Sequence, residues 1–417
     1  MTPEKLFQQM LGLGSDWEVI DCRFQEEDGL VSLEIRETPN LFGRLKCSKC
    51  SGKLVCHDHT EVLEWRHLNV FEHRCDIRCR LPRSKCAHCR EVHRVTPPWE
   101  GLSKHFTQAF EAYVLLLARE MPMARVARLV GESDTRLWRM IHTHVQGARA
   151  KADFSQVTCV GVDEMSIRKG RQYLSVFADL VGKRVLFGTP GRDASVFAEF
   201  VKDMGEHNGH PHAILEMSMD MSKPYQKGVA EHCRNAQVVF DKYHVIANVS
   251  AAVDQVRKTE SIGPSNRTLR RTMWIWRKNP ENLTDQQRDR LEKLNGENLW
   301  TAKAYQLRLS LQEIYRGEDV KTARQSLSDW CQLVRGVACE APGTMFAAMR
   351  RVARMMETHM EGIMAHWGHR ITNAFMEGLN SVFSATKRKA RGYRSTSYLL
   401  AMLYLTSAKL KLPHPAH

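Results

Sequence analysis

The sequence lacks any long apolar stretch: its longest apolar runs, around 114–118 and 398–405, fall well short of the roughly 20 residues that span a bilayer. Its first residues show neither the basic start nor the apolar segment of a signal peptide, which predicts a cytoplasmic protein. Internal repeats and low-complexity segments are also missing. With 43% hydrophobic and 26% charged residues, the composition excludes global disorder. The 417 residues therefore predict a folded protein of roughly three domains.

Acidic residues are absent from positions 378–417, and the whole chain carries 61 Lys and Arg against 47 Asp and Glu. The resulting net charge of +14 predicts an anionic partner. Nucleic acid is favoured over a membrane surface, because the sequence shows no basic amphipathic anchor.

Cysteines are scarce outside residues 47–89, which hold seven of the twelve. In a reducing compartment, such clustered pairs indicate metal ligands rather than disulfides. Two C-x2-C pairs offer four thiolates, which suit a closed, tetrahedral structural Zn²⁺ site. The predicted zinc ligands are Cys47, Cys50, Cys86 and Cys89. The alternative ligands are Cys56, His57, Cys75 and Cys79.

Two helical patterns, Met123–Val130 and Thr135–His144, are joined by a short glycine-containing turn. This is the layout of a helix-turn-helix DNA-binding motif. We expect Asp134 to cap the second helix, and Arg136 and Arg139 to project outward to DNA. An ordinary helical hairpin remains the alternative interpretation.

Short strand patterns alternate with helical ones between residues 157 and 244. Asp163 ends the first of these strands and Asp220 ends the fourth, which we expect to lie beside the first. Carboxylates from neighbouring strand ends offer the hard oxygen ligands that Mg²⁺ prefers. Asp241 ends the fifth strand and competes with Asp220 for the second position.

A third carboxylate, Glu377, lies in a stretch with a helical pattern far along the chain. If this stretch is helical, Asn373, Glu377 and Asn380 share one face. A single Asp or Glu is weak support for catalysis, since caps and salt bridges account for most of them. The ordered set of strand Asp, strand Asp and helix Glu is much more specific.

That ordered set resembles the DDE insertion-sequence transposases, specifically the ISL3 family, over almost the whole chain. The segments that carry the resemblance are 161–170, 218–225, 240–245, 274–283, 372–380 and 387–394. The resemblance implies that Asp163, Asp220 and Glu377 form a catalytic triad that binds Mg²⁺ or Mn²⁺. It also implies that the two C-x2-C pairs form a zinc finger, and that the catalytic fold is RNase H-like.

The predicted fold class is a multidomain α/β protein, whose RNase H-like core is interrupted by a helical insertion. A zinc-binding β module and a helix-turn-helix precede this core. The predicted domains are a β-hairpin with a four-cysteine zinc finger (1–95), the helix-turn-helix (100–150), the first part of the catalytic core (155–260), the helical insertion (261–365), and the last part of the core with a basic tail (366–417). In the insertion, Trp274 and Trp276 are interpreted either as DNA contacts or as core residues.

The implied reaction is metal-dependent cleavage at insertion-sequence ends, followed by strand transfer into target DNA through two-metal phosphoryl transfer. Asp241 and His244 are expected to be auxiliary. The residues expected to neutralise the DNA backbone are Lys387, Arg388, Lys389, Arg391 and Arg394. The expected partners are double-stranded DNA, as terminal inverted repeats and as target, and further copies of the chain in a homodimer or larger homo-oligomer. The expected location is the bacterial cytoplasm, at the nucleoid. Two alternatives remain: a catalytically inactive DNA-binding regulator, and an RNase H-like nuclease that cleaves without joining.

Overall fold

The computed structural model describes residues 1–168, 172–262, 267–317, 319–368 and 374–414. Asn373, which the sequence analysis placed beside Glu377, lies outside these residues, as do the ends of two segments that carry the family resemblance. The chain divides into two units. The first comprises residues 1–152 and 383–417, and the second comprises residues 153–382.

The first unit begins with a helix and a five-stranded sheet. These elements are α1 (Pro3–Met10), β1 (Trp17–Gln25), β2 (Leu30–Glu37), α2 (Asn40–Arg44), β3 (Leu54–Val70), β4 (His73–Cys86) and β5 (Val92–Arg94). The strand order is β1-β2-β4-β3, with β5 paired to β4. Alternate side chains of β2 and β4, such as Leu33 and Ile77, are fully buried and form the core of this sheet. The hairpin predicted in the first 40 residues is therefore present as β1 and β2.

Three helices follow in the same unit: α3 (Gln108–Glu120), α4 (Met123–Val130) and α5 (Asp134–Arg149). Gly131 ends α4 with a φ of 67°, a left-handed conformation that glycine adopts without strain. The prediction that Asp134 caps α5 is wrong. The hydroxyl of Ser133 accepts the hydrogen bond from the Arg136 N–H, because Ser133 is the last residue with extended backbone. Asp134 instead lies in the first turn, where its negative charge interacts favourably with the helix dipole.

The C-terminal helix α16 (Thr396–Ser407) also belongs to the first unit. Its apolar side chains are buried in contact with α3 and α5. The rings of Trp138 and Tyr398 stack with centroids 4.4 Å apart and an interplanar angle of 4°. Residues 383–417 therefore group with the helix-turn-helix in space, while the predicted domain bounds, with 366–417 as the last part of the catalytic core, stay a prediction. The physical reason is that α16 is apolar on all sides and must be covered by other helices.

The second unit is built on another five-stranded sheet. Its strands are β6 (Cys159–Arg168), β7 (Gln172–Asp179), β8 (Arg184–Pro190), β9 (Glu216–Met219) and β10 (Gln237–Phe240). The order is β10-β9-β6-β7-β8. Strands β6, β7 and β8 pair antiparallel in sequence order, while β9 and β10 run parallel to β6. The fourth strand thus lies beside the first, as the sequence predicted. Helices cover this sheet, and residues 176–178 at its centre are fully buried.

The helices of the second unit are α6 (Ser195–Glu206), α7 (Lys223–His232), α8 (Lys242–Glu260), α9 (Met273–Arg277), α10 (Asp285–Asn295), α11 (Trp300–Ile314), α12 (Val320–Glu340), α13 (Ala347–Thr358), α14 (Met360–Gly368) and α15 (Ala374–Lys389), which continues into the first unit. Short 3-10 turns occur at Pro211–Ala213, Arg267–Leu269 and Pro280–Asn282. Helices α11 and α13 pack on α8. Trp276 is fully buried, which fits the core interpretation, whereas Trp274 is 59% exposed. No helix in the described ranges is long and apolar enough to cross a membrane.

Candidate active site and cysteine cluster

Three aspartates lie at the same level on three neighbouring parallel strands. The register pairs Gly161 of β6 with Ser218 of β9, so two residues later Asp163 is level with Asp220. Phe240 of β10 pairs with Met219 of β9, so Asp241 is level with Asp220 in turn. This aspartate row (Asp163, Asp220 and Asp241) follows from parallel pairing: β9 and β10 end just before Asp220 and Asp241, while β6 continues past Asp163.

Asp163 lies in the middle of β6, which continues to Arg168, so the expectation that Asp163 ends its strand is wrong. It is largely enclosed, with a side chain that is 13% exposed. Burial raises the pKa of its carboxyl, and the negative charge of Asp220 adds to this effect. A hydrogen bond from Asn380 and the nearby His244 oppose it. The Asn380 Nδ2 atom donates to Asp163 Oδ2 at 2.5 Å. A buried carboxylate beside a second carboxylate is the arrangement that a bound divalent cation relieves.

The other two aspartates each accept a hydrogen bond from a backbone N–H. Asp220 accepts from Ser222 at 2.9 Å. Asp241 caps α8 by accepting from Tyr243 at 3.0 Å. His244, in the first turn of α8, lies between the ends of the row: its Nε2 atom is 3.9 Å from Asp163 Oδ1 and 3.8 Å from Asp241 Oδ2. The structure therefore places His244 in contact range of two of the three carboxylates.

Glu377 lies in the first turn of α15 and is exposed. The helix approaches β6 closely at Met376, since a Cβ added at Gly161 would lie 2.9 Å from the Met376 Cγ atom. Asn380, which contacts Asp163, is one turn after Glu377 on the same side of the helix. Helix α15 thus brings Asn380 to Asp163, with Glu377 one turn earlier on the same helix. Neither of the two groups of three or more metal-ligating side chains formed by the described residues includes Asp163, Asp220 or Glu377.

The four cysteines of the two C-x2-C pairs do form one group, with all four Sγ atoms within 4.8 Å of one another. The Sγ atoms of Cys47 and Cys89 are 3.6 Å apart, and those of Cys50 and Cys86 are 3.4 Å apart. Backbone N–H groups of Cys89 and His88 point at the Cys86 sulfur and lower its pKa to about 6. A backbone hydrogen bond from Glu91 lowers the pKa of Cys89, in contrast, but burial and the sulfurs of the other three cysteines outweigh it and raise that pKa to about 12.

The alternative cysteine ligands do not join this cysteine cluster. Cys75 and Cys79 lie in β4 with their side chains in the apolar core of the sheet. Burial raises the pKa of each thiol to about 12, and neither sulfur belongs to the group of four. Cys56 and His57, on β3, also lie outside the group of four.

Comparison with known proteins identifies the chain. Residues 160–403, more than half of the sequence, match the ISL3 family of the DDE class, described as a transposase. Residues 103–145 match the helix-turn-helix domain of transposase family ISL3. The chain belongs to the ISL3 family of transposases. The family predicted from the sequence is thus confirmed.

Two kinds of relative resemble this ISL3-family chain over nearly its whole length. The transposase for insertion sequence element IS1001 of Bordetella parapertussis is 25% identical over 407 residues, covering 95% of this chain and 96% of the relative. The transposase for insertion sequence element IS1557 of Mycobacterium tuberculosis is 26% identical over 444 residues, covering 97% of this chain and 95% of the relative. A strain-H37Rv copy of the IS1557 protein matches equally well.

The helix-turn-helix match settles the choice between a DNA-binding motif and an ordinary helical hairpin, and an ISL3 transposase with this domain binds DNA. The arginines of α5 nevertheless differ. Arg139 is exposed. Arg136 does not project freely outward as expected, because its guanidinium donates to Glu132 at 2.7 Å and lies over the ring of Phe106. The side chain of Glu132 is buried, so this arginine is needed locally to compensate a buried charge.

The basic residues after Glu377 fall into two places. Residues 387–389 form the last turn of α15, where their positive charges interact favourably with the helix dipole. Arg391 follows with a φ of 54°. Arg394 is 81% exposed, and its guanidinium lies 3.7 Å from the carboxylate of Asp134 at the start of α5. The basic segment and the helix-turn-helix therefore meet within the first unit.

Proposed function

We propose that this ISL3 transposase cleaves DNA at insertion-sequence ends and joins the freed strand to target DNA, with Asp163, Asp220 and Glu377 as its catalytic triad. The observation that carries the proposal is the aspartate row, flanked by the helix that bears Glu377. The sheet order supports an RNase H-like core, since three antiparallel strands are followed by two that extend the sheet in parallel on the side of the first. Carboxylates on the first and fourth strands then meet at one edge.

The chemistry is phosphoryl transfer. Oxygens of Asp163 and Asp220 on the strands and of Glu377 on the helix would hold Mg²⁺ or Mn²⁺. The metal would supply activation of a water or a DNA 3′-hydroxyl as nucleophile and stabilisation of the leaving 3′-oxygen. Asn380 donates to one oxygen of Asp163, while the other accepts from the Glu164 N–H at 2.7 Å and lies 3.9 Å from the His244 Nε2 atom. His244 is auxiliary, because it lies close to both Asp163 and Asp241 without belonging to the triad.

Asp220 is favoured over Asp241 as the second carboxylate. Asp220 follows the strand adjacent to β6, whereas Asp241 follows the next strand out. Asp220 also contributes to raising the pKa of both Asp163 and Glu164, as expected of a neighbour in the same site. Asp241 is engaged as the cap of α8.

The cysteine cluster is proposed to hold one structural Zn²⁺ ion. Four sulfurs bound to zinc at about 2.3 Å in a tetrahedron lie about 3.8 Å from one another. The sulfur separations of 3.4 and 3.6 Å are close to this value. Gly52 allows the approach, since a Cβ there would lie 3.1 Å from the Cys86 sulfur. Lys46, Lys53 and Lys85, which are near the cysteine pairs in the sequence, suit contact with phosphates.

DNA recognition is proposed to divide between two surfaces. Arg139, exposed on the second helix of the helix-turn-helix, is the better placed of the two predicted arginines for base contacts. Residues 387–389, with Arg391 and Arg394, are proposed to contact phosphates, which position DNA without reading its sequence. A homodimer or larger homo-oligomer on the DNA is proposed, since transposition acts on two element ends.

A strand-transfer assay tests the proposed function. The purified protein is incubated with Mg²⁺, target plasmid and a duplex that ends in the element's labelled terminal repeat. Label joined to the plasmid supports transposition. Label released by cleavage without joining points to a nuclease, and a shifted but intact duplex points to a DNA-binding regulator.

A further inference from the structure

A second group of metal-ligating side chains lies in the first unit, apart from the cysteine cluster. Glu37, Cys56 and His59 each offer one ligand atom, and the three atoms lie within 4.8 Å of one another. The His59 Nε2 atom and Glu37 Oε1 are 2.6 Å apart. Glu37 is 14% exposed and His59 is 37% exposed. The group is therefore anchored in the protein on one side and open to solvent on the other.

A β-bulge explains why two residues three apart on one strand share a face. In a regular strand, Cys56 and His59 would point to opposite faces, because side chains alternate. The register shifts here, however: Cys56 pairs with Ser84, and the next paired residue, Asp58, pairs with Arg83. His57 is the extra residue. One bulged residue reverses the alternation and turns Cys56 and His59 to the same side.

An ion pair between Glu37 and His59 does not account for the whole group. It uses only Oε1 of the carboxylate. The other oxygen, Glu37 Oε2, is buried and accepts no hydrogen bond within the described part of the chain. A buried carboxylate oxygen without a partner calls for an unobserved water or ion. An ion pair also leaves unexplained why the Cys56 thiol lies against both groups.

We propose that Glu37, Cys56 and His59 form a second metal site, which takes a zinc-class divalent transition-metal ion. A sulfur, an imidazole nitrogen and a carboxylate oxygen together suit Zn²⁺ or Co²⁺ and not Mg²⁺ or Ca²⁺, which prefer oxygen ligands alone. Three protein ligands leave a fourth position open, unlike the closed set of four cysteines.

The proposed site is separate from the cysteine cluster, although the two are close along β3. Leu54, which packs against Cys47 and Cys86, is two residues before Cys56. Two residues of strand correspond to about 7 Å. Neither group shares a ligand with the other. Removal of one site is therefore expected to leave the other able to bind metal.

Metal counting in matched variants tests the proposal. Full-length wild-type protein and the variants Cys56→Ser, His59→Gln and Glu37→Gln are stripped with chelator under reducing conditions. Each is then titrated with Co²⁺ alone and with Zn²⁺ alone. The variant His57→Gln is the control, because His57 neighbours the group without belonging to it. Circular dichroism and the cobalt–thiolate absorption of the cysteine cluster verify that each variant is folded.

Wild type and His57→Gln are expected to bind one more metal equivalent than Cys56→Ser and His59→Gln. Glu37→Gln is expected to lower the affinity for that additional metal ion by about 10-fold or more, which is the usual effect of losing a group that binds or orients a metal ligand. An equal number of equivalents in wild type and Cys56→Ser would overturn the proposal. So would loss of the equivalent in His57→Gln, since this would place the ligands elsewhere on the strand.

Discussion

Replacement of Asn380 by alanine removes a side-chain donor that holds an oxygen of Asp163, at 2.5 Å. A hydrogen bond to a charged group contributes about 1.5–3 kcal/mol. Partners that orient a metal ligand typically change metal affinity by about 10–100-fold when they are lost. We therefore expect Asn380→Ala to need about 10–100 times more Mg²⁺ for half-maximal DNA cleavage, with much of the rate restored at saturating metal.

The assay is cleavage of a labelled element end over a range of Mg²⁺ concentrations, with DNA binding measured in parallel. Val382→Ala is the matched control, because Val382 is an exposed residue of the same helix. Asn380→Asp should be at least as damaging as Asn380→Ala, since it places a like charge beside Asp163. An Asn380→Ala variant with the wild-type Mg²⁺ dependence would refute the reasoning and leave the hydrogen bond without a role in metal binding.

Three further predictions concern the first unit. Cys86→Ser should lose the structural zinc while Cys75→Ser keeps it, as metal analysis of the two purified variants would show; the reverse result would shift the zinc site to β4. Alanine at residues 387–389 should reduce the slope of the logarithm of the DNA-binding constant against the logarithm of salt concentration by up to roughly 2–3. Preference for the element's own end over random DNA should change little, as equilibrium binding at several salt concentrations would show. A loss of this preference would mean that these residues read bases. Burial lowers the pKa of His67 to about 4. The His67 imidazole therefore stays neutral in the folded protein at pH values where it takes up a proton in the unfolded chain, below about pH 6.5. The contribution of neutral His67 to the free energy of unfolding is therefore fully present above pH 6.5 and is lost as the pH falls toward 4. Urea unfolding at pH 7 and at pH 5 should show a decrease of about 2 kcal/mol in the free energy of unfolding, which is absent in His67→Gln. Equal decreases in both proteins would contradict this.

Local patterns were sufficient to predict the elements that carry the site. Strands β7 to β10 were expected close to their observed positions, because their apolar stretches are short and are followed by turn residues or by an aspartate. Strand β6 was expected to end at Asp163, but pairing with β7 extends it to Arg168. The two cysteine pairs likewise predicted the cluster that the structure brings together. Adjacent residues were harder to distinguish: Ser133 and Asp134 are both good caps, and only the backbone conformation shows that Ser133 fills the role.

Long-range relations could not be predicted in the same way. The hydrogen bond between Asn380 and Asp163 joins residues 217 positions apart, although the spacing of Asn380 from Glu377 already hinted at a shared face. The aspartate row depends on strand register, which no local pattern gives. The bulge at His57, which brings Cys56 to His59, depends on pairing with β4. Helix α16 was assigned by chain order, whereas its apolar surface packs with the helix-turn-helix.

The central claim is that Asp163, Asp220 and Glu377 carry out metal-dependent cleavage and joining, and one set of substitutions tests it most directly. Cleavage and strand transfer are measured with Mg²⁺ for Asp163→Ala, Asp220→Ala, Glu377→Ala and Asp241→Ala, together with DNA binding for each. We predict that the first three abolish both reactions while DNA binding persists, and that Asp241→Ala retains measurable cleavage. An active Asp220→Ala beside an inactive Asp241→Ala would contradict the assigned triad, and full activity of Glu377→Ala would contradict the proposed mechanism.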